Sequence, residues 1–474
     1  MNYLSVQFAL FLFAVVIGFH LCRPGGRALF LLGASYGFYA LSSPVAAIGM
    51  LAATIFAFVL GPAIEPTQKS GSKEATASRP VMAFAVAVLV SYLSLFKVLR
   101  SIDLAKLRLP DWTVAAFGGS VLLPLGISYY VFKLISYIVD IYWGNIAPER
   151  NFVDFATYVA FFPQIVAGPI QRSGDFLQQI RKLSPTSEMM RRGLRRMLLG
   201  CFKKAVVADN LGTLIDLSYG PHAPAGAALL AFYLFPFQLY ADFSALTDIA
   251  IGTALLFGIQ SPENFNAPFL ATNISQYWRR WHMTLTNWLG DYVFMPLRMA
   301  TRAYGNYGLV FSLMVNMILI GLWHNLSWCF LVFGVLHGIF LSVDALTARG
   351  RSKFFKSRPA WDRAGNCVGP VFTFHLVALA MVFVRAVSLS EALHVLSSLP
   401  ASAAHVVGLI LGSNEAEYGL AGLALWAAFE FVWRQDRFRA PATPMWFRWA
   451  FYYTVIAIIV KFGHNAKGFI YFKF

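Results

Sequence analysis

AYGNYGLVFSLMVNMILIGLWHNLSWCFLVFGVLHGIFLSV, residues 303–343, runs for 41 residues counting both ends without one Asp, Glu, Lys or Arg. One helix crosses a bilayer with about 20 apolar residues, so this run is long enough to cross twice. Two helices with a tight break are expected, and the break falls most naturally at HNLS, 324–327. In lipid the backbone must satisfy its own hydrogen bonds, which favours helices over open sheet.

The rest of the chain has the same character. Of its 474 residues, 58% are hydrophobic and 13% are charged. Soluble domains carry about 25% charged residues, and half of that leaves too little polar surface to cover a water-soluble globule. Long uncharged runs recur, giving ten to twelve candidate spans. They lie at 3–22, about 28–41, 45–63, 81–97, within 119–143 and 224–259, in 303–343, and at about 368–388, 415–433 and 446–462. The segment EPTQKSGSKEATASRP, 65–80, reads as a polar loop, and 98–118 as extramembrane. Residues 153–170 are too short and too broken by Gly168-Pro169 for a clean span, and fit a re-entrant segment. No basic region or small-residue cleavage site brackets the first apolar run, so it reads as a retained helix followed by Arg23 and Arg27. The expectation is an all-α, polytopic membrane protein with one domain over 1–474 and its core motifs in about 119–343.

The net charge is +16. The basic residues sit in short loops between apolar runs, as cytoplasmic loops do, which argues against nucleic acid. From 172 to 204 they cluster: Arg172, Arg181, Lys182, Arg191, Arg192, Arg195, Arg196, Lys203 and Lys204. This stretch reads as an amphipathic helix on the cytoplasmic surface, able to meet an acidic carrier or anionic lipid. A basic loop is expected at 349–363, and a basic cluster covers Arg434 to Arg448. Four scattered cysteines, Cys22, Cys201, Cys329 and Cys367, form no disulfide framework or zinc motif, and no metal is expected.

Ionisable residues inside apolar sequence mark interiors or aqueous cavities. Lys133 and Asp140 lie about two helical turns apart, and Asp242 and Asp248 lie in QLYADFSALTDIAIG, 238–252. The segment QYWRRWHMTLTNWLGDYVFMPL, 276–297, sets Arg279, Arg280, His282 and Asp291 among Trp278, Trp281 and Trp288. On one continuous helix Trp278, His282 and Thr286 would share a face. His324 lies in GLWHNLSW, 321–328, deep in apolar sequence. Desolvation keeps such an imidazole neutral, and a neutral imidazole can accept a hydroxyl proton. His337 and His375 also lie in apolar spans and read as structural.

These segments together resemble the membrane-bound O-acyltransferase family, in the bacterial branch similar to alginate O-acetyltransferases. The resemblance covers most of the chain. It is carried by LPLGISYYVFKLISYIVDIYWG (123–144), FFPQIVAGPIQR (161–172), QLYADFSALTDIAIG, NFNAPF (264–269), QYWRRWHMTLTNWLGDY, GLWHNLSW, GVLHG (334–338) and the final FIYFKF. Gly290 stands where many relatives carry arginine, and Ala245-Leu246 replace the more usual Gly-Tyr.

The resemblance implies a ring of tilted helices with re-entrant segments around a thin centre, with funnels opening to both faces. It maps the family's histidine onto His324 and the branch's second histidine onto His282. Substrate contacts are then expected from Trp278, Arg279, Arg280, Trp281, Asn287, Asp291, Trp323, Asn325, Asp242 and Asp248. The implied donor is acetyl-CoA or an acyl carrier protein on the cytoplasmic side, with no tightly bound cofactor. The implied partners are an extracytoplasmic acetyltransferase and a polysaccharide acceptor, at a bacterial inner membrane. D-alanyl transfer to teichoic acid, as in the sister branch, is the alternative enzyme reading. A transporter using Lys133, Asp140, Asp242 and Asp248 is the non-enzymatic one.

Overall fold

The structure is a computed structural model that describes residues 3–68, 75–76, 78–101, 126–216, 218–219, 223–412, 414–434 and 444–463. The expected extramembrane stretch 98–118 beyond residue 101, residues 119–125, most of the 434–448 cluster and the FIYFKF ending lie outside the described residues. Among those described the chain is helical, apart from a two-residue antiparallel pair, Thr67–Gln68 with Ala75–Thr76, within the segment expected as loop.

Among the described residues, seven helices are long and apolar enough to cross a membrane: Pro44–Ile64, Arg79–Leu99, Ala227–Leu256, Arg302–His324, Trp328–Lys356, Pro359–Arg385 and Met445–Phe462. The sequence offers ten to twelve apolar runs, and the one within 119–143 lies partly outside the described residues. Some apolar runs fold into helices shorter than a straight crossing of about 20 residues, such as Val6–Leu21 with 16 residues and Arg27–Ala40 with 14.

The chain forms two compact units, Met1–Arg196 with Ala250–Pro262, and Met197–Ile249 with Glu263–Phe474. In the first, side-chain caps start several helices. Ser5 accepts from Phe8 N, Ser43 from Ala46 N ahead of Pro44, and Asn151 from Val153 N and Asp154 N. The expected re-entrant stretch is broken at Phe161 into the helices Phe152–Ala160 and Phe162–Ile165.

Lys133, in the helix Ile127–Tyr142, is 2% exposed. Its ammonium donates to Tyr158 O at 2.8 Å and Gln164 Oε1 at 2.9 Å, and it sits 4.9 Å from the Tyr158 ring centroid. Gln164 Nε2 in turn donates to Gln171 Oε1 and Ser261 Oγ, both at 2.7 Å. The sequence grouped Lys133 with Asp140, but Asp140 is half-buried near the helix end and accepts from Asn145 Nδ2 at 3.3 Å.

Gly126 starts the Lys133 helix in the left-handed region, φ 70°, and a Cβ there would collide with the Ile165 carbonyl oxygen. Gly126→Ala is therefore expected to destabilise the protein by well over about 1 kcal/mol, because alanine meets both the backbone penalty and the clash. A chemical denaturation midpoint equal to wild type would refute this.

In the second unit, the 303–343 run folds as anticipated. Gly305–His324 ends at the tight break, Ser327 caps the next helix by accepting from Phe330 N, and Trp328–Lys356 runs back. The two helices approach closely because Gly321 meets the Phe330 carbonyl and Gly334 meets Met317 O. The second helix corrects the expected basic loop at 349–363: it continues to Lys356, and the next helix begins at Pro359. A helix shields its own backbone wherever it runs, so the end of the apolar stretch does not end the helix.

The basic stretch 172–204 is likewise corrected. Ser173–Ile180 and Ser187–Phe202 are separate helices, and Lys203–Ala208 is a π-helix. Arg181, Lys182, Arg191 and Arg192 are exposed, but Lys203 and Lys204 are buried. Within the second unit Lys203 Nζ lies 2.7 Å from Asp248 Oδ2. Lys204 Nζ lies 2.7 Å from Asp209 Oδ1 and 2.8 Å from Asp242 Oδ1. Buried charges persist only when paired, and here they pair across the interior.

Candidate active site

Around His282 the chain departs from the helix expected there. Ile274–Trp278 stops, a turn follows, and Met283–Leu289 begins with His282 as its N-cap. His282 has φ 43° and ψ 50°, the left-handed region that few side chains other than glycine adopt. Ala267, φ 40°, is the other such non-glycine residue among those described, and it lies in the segment that clamps this turn. Met283 N donates to Asn264 O at 2.9 Å, and Asn266 N donates to Arg280 O at 2.9 Å. These bonds take the place of helix continuation, so Trp278, His282 and Thr286 do not share a helical face. Strained backbone of this kind persists only where its surroundings hold it, and it concentrates at functional sites.

The His282 side chain is 1% exposed. Its Nδ1 lies 3.1 Å from Asn264 Oδ1, and the Phe243 ring meets it edge-on at 4.8 Å between centroids. Burial pushes its pKa well below the ordinary 6.5, and nearby His324 adds to the drop, so the ring is neutral. Trp323 bridges the two histidines, with its ring 6.3 Å from His282 and 4.6 Å from His324. His324 is the last residue of its helix and is half-buried, less enclosed than its apolar sequence suggested. A helix end in a tight break opens one side of the ring.

The remaining expected residues divide. Trp281 is buried against Phe265 and Tyr277, with centroids 5.1 and 5.7 Å away. Trp278 is also buried, but its Nε1 donates to His337 Nδ1 at 3.3 Å, which accounts for His337 as a packing residue. Arg280 is half-buried and donates to Asn266 O at 3.4 Å. Arg279, Asn287, Asp291 and Asn325 are exposed. Asp242 and Asp248, expected to touch substrate, have carboxylates that pair with Lys204 and Lys203. The consecutive buried lysines needed buried counter-charges, and these two aspartates supply them.

Sequence reasoning missed Asn264 and Phe243 as neighbours of His282. The NFNAPF motif was the available signal for Asn264, but nothing in its spacing pointed to a histidine 18 residues on.

Comparison with known proteins agrees with the resemblance. Residues 149–385 match the MBOAT, membrane-bound O-acyltransferase family, a stretch that contains both histidines. The chain is 35% identical to the probable alginate O-acetylase AlgI of Azotobacter vinelandii, over 81% of this chain and 75% of that protein. It is 34% identical to a peptidoglycan O-acetyltransferase of Helicobacter pylori, over 59% of this chain and 57% of that one. It is 31% identical to a teichoic acid D-alanyltransferase of Bacillus subtilis, over 53% and 66%. With its apolar helices and its histidine pair inside the matched stretch, this multi-pass membrane protein belongs to the membrane-bound O-acyltransferase family and is an O-acyltransferase.

Proposed function

We propose that the chain, as one functional unit in a bacterial inner membrane, moves an acetyl group from a cytoplasmic thioester to a hydroxyl on the other side. The observation that carries this reading is the meeting of His324 and His282 around Trp323 within the family-matched stretch. The donor is acetyl-CoA or an acetylated carrier protein, and the exposed arginines of 181–192 suit either anionic donor. The acceptor is a polysaccharide or peptidoglycan hydroxyl, or the nucleophile of an extracytoplasmic transferase that passes the group on. The names of the Azotobacter and Helicobacter relatives support acetyl as the group moved.

In the proposed reaction His324 takes the hydroxyl proton as the oxygen attacks the thioester carbonyl. The C–O bond forms, the C–S bond breaks, and the proton leaves with the departing thiol. Such catalysis typically supplies about 10²–10⁴-fold. His282 assists from its buried position. Trp278, Trp281 and Trp323 supply apolar walls, which strengthen the polar contacts made there.

The test is acyl transfer by the purified full chain in lipid nanodiscs, given radiolabelled acetyl-CoA or an acetylated carrier and an oligosaccharide acceptor. Label on the acceptor supports the reading. Transfer of D-alanine in place of acetyl would favour the teichoic acid alternative. Absence of transfer from every acetyl donor, in protein that remains folded, would defeat the acetyl reading.

A further inference from the structure

We propose that Asn264 is a positioning residue that fixes the tautomer of His282, so that Nε2 presents a lone pair rather than a proton. Asn264 is fully buried. Its Oδ1 lies 3.2 Å from Thr284 N, 2.9 Å from Thr284 Oγ1 and 3.1 Å from His282 Nδ1. An amide's oxygen and nitrogen are usually assigned from their partners. Here the assignment is forced, because a backbone N–H can only donate and so must face the oxygen. That oxygen can only accept, so His282 Nδ1 must carry the ring proton. Asn264 Nδ2 is left to face Thr247 Oγ1 at 3.5 Å. The main chain holds the same geometry, since Met283 N donates to Asn264 O.

A neutral imidazole protonated on Nδ1 has a bare nitrogen at Nε2. His282 Nε2 is buried and makes no hydrogen bond to the described residues. What meets it must therefore donate: an O–H or N–H of a bound substrate. This inference rests on the proposed role of His282 and sharpens it. The ring accepts from the hydroxyl or from an amide N–H of the donor arm, and does not donate to the carbonyl oxygen. His337 gives an internal contrast. Trp278 Nε1, which can only donate, points at His337 Nδ1, so that ring carries its proton on Nε2.

The experiment is ¹⁵N spectroscopy of the full chain labelled at histidine, at neutral pH, with the His282 signals assigned by their loss in His282→Asn. Asparagine is among the residues that tolerate a left-handed backbone. The expected wild-type result is a protonated Nδ1 and an unprotonated Nε2. A protonated Nε2 in wild type overturns the proposal, and that measurement needs no variant to fold. In Asn264→Leu the Nδ1–H preference is expected to vanish, with kcat falling about 10²-fold and KM changing less. Asn264→Asp, which keeps an acceptor oxygen, is expected to restore both. An unchanged Nδ1–H signal in Asn264→Leu would also overturn the proposal. Full acyl transfer by His282→Asn would instead remove the catalytic role of His282, whatever its tautomer.

Discussion

His324→Gln is expected to cut acyl transfer by about 10²–10⁴-fold while leaving the thermal unfolding midpoint close to wild type. Glutamine has similar reach and can hydrogen-bond, but it cannot take up a proton. The loss should therefore fall on kcat more than on KM, as expected when an interaction made only in the transition state is removed. Stability should change little because His324 is half-buried at a helix end and fills no closed core position. His324→Ala should lose as much activity, since a smaller residue supplies no base either. Undiminished turnover in folded His324→Gln would remove His324 as the base. The dominant role would then pass to His282, the other histidine at Trp323.

The fold was legible where composition alone decides it. The 303–343 run had to make two helices, and its break at 325–327 lies where the polar HNLS segment offered a cap, Ser327. Helix extents were not legible, because an apolar stretch marks burial in lipid rather than the end of the hydrogen-bond ladder. The helix Trp328–Lys356 therefore continues through residues expected as loop. In the site, His324 and His282 stood out because histidines deep in apolar or tryptophan-rich sequence demand an explanation. The contact of His282 with Asn264 was hidden because it depends on a left-handed turn, which helical periodicity cannot express. Lys203 and Lys204 were misread because a run of cations looks solvated until its counter-charges are known. Asp248 and Asp242 lie 45 and 38 residues further along the chain.

Those buried lysines support a second large effect. Lys204→Met should destabilise the protein by about 3–5 kcal/mol, because removing one partner of a buried ion cluster leaves charge uncompensated. The upper end is expected, since Lys204 bonds two carboxylates, Asp209 and Asp242, each at most 3% exposed in its side chain. Asp242→Asn alone should cost less, because Lys204 keeps Asp209. The triple variant Lys204→Met, Asp209→Asn, Asp242→Asn should recover much of the loss, since no net charge then remains among the three. The consequence reaches the site through Phe243, which lies beside Asp242 on the same helix and packs edge-on against His282. Lys204→Met should therefore lower acyl transfer even below its unfolding temperature, and the triple variant should restore stability and transfer together. Denaturant titration of the four proteins, paired with the acyl assay, tests the chain of causes. If Lys204→Met unfolds at the wild-type denaturant concentration, the ion cluster does not hold this helix. If the triple variant regains stability but not transfer, the cluster's charges act on the reaction by a route other than the seating of Phe243.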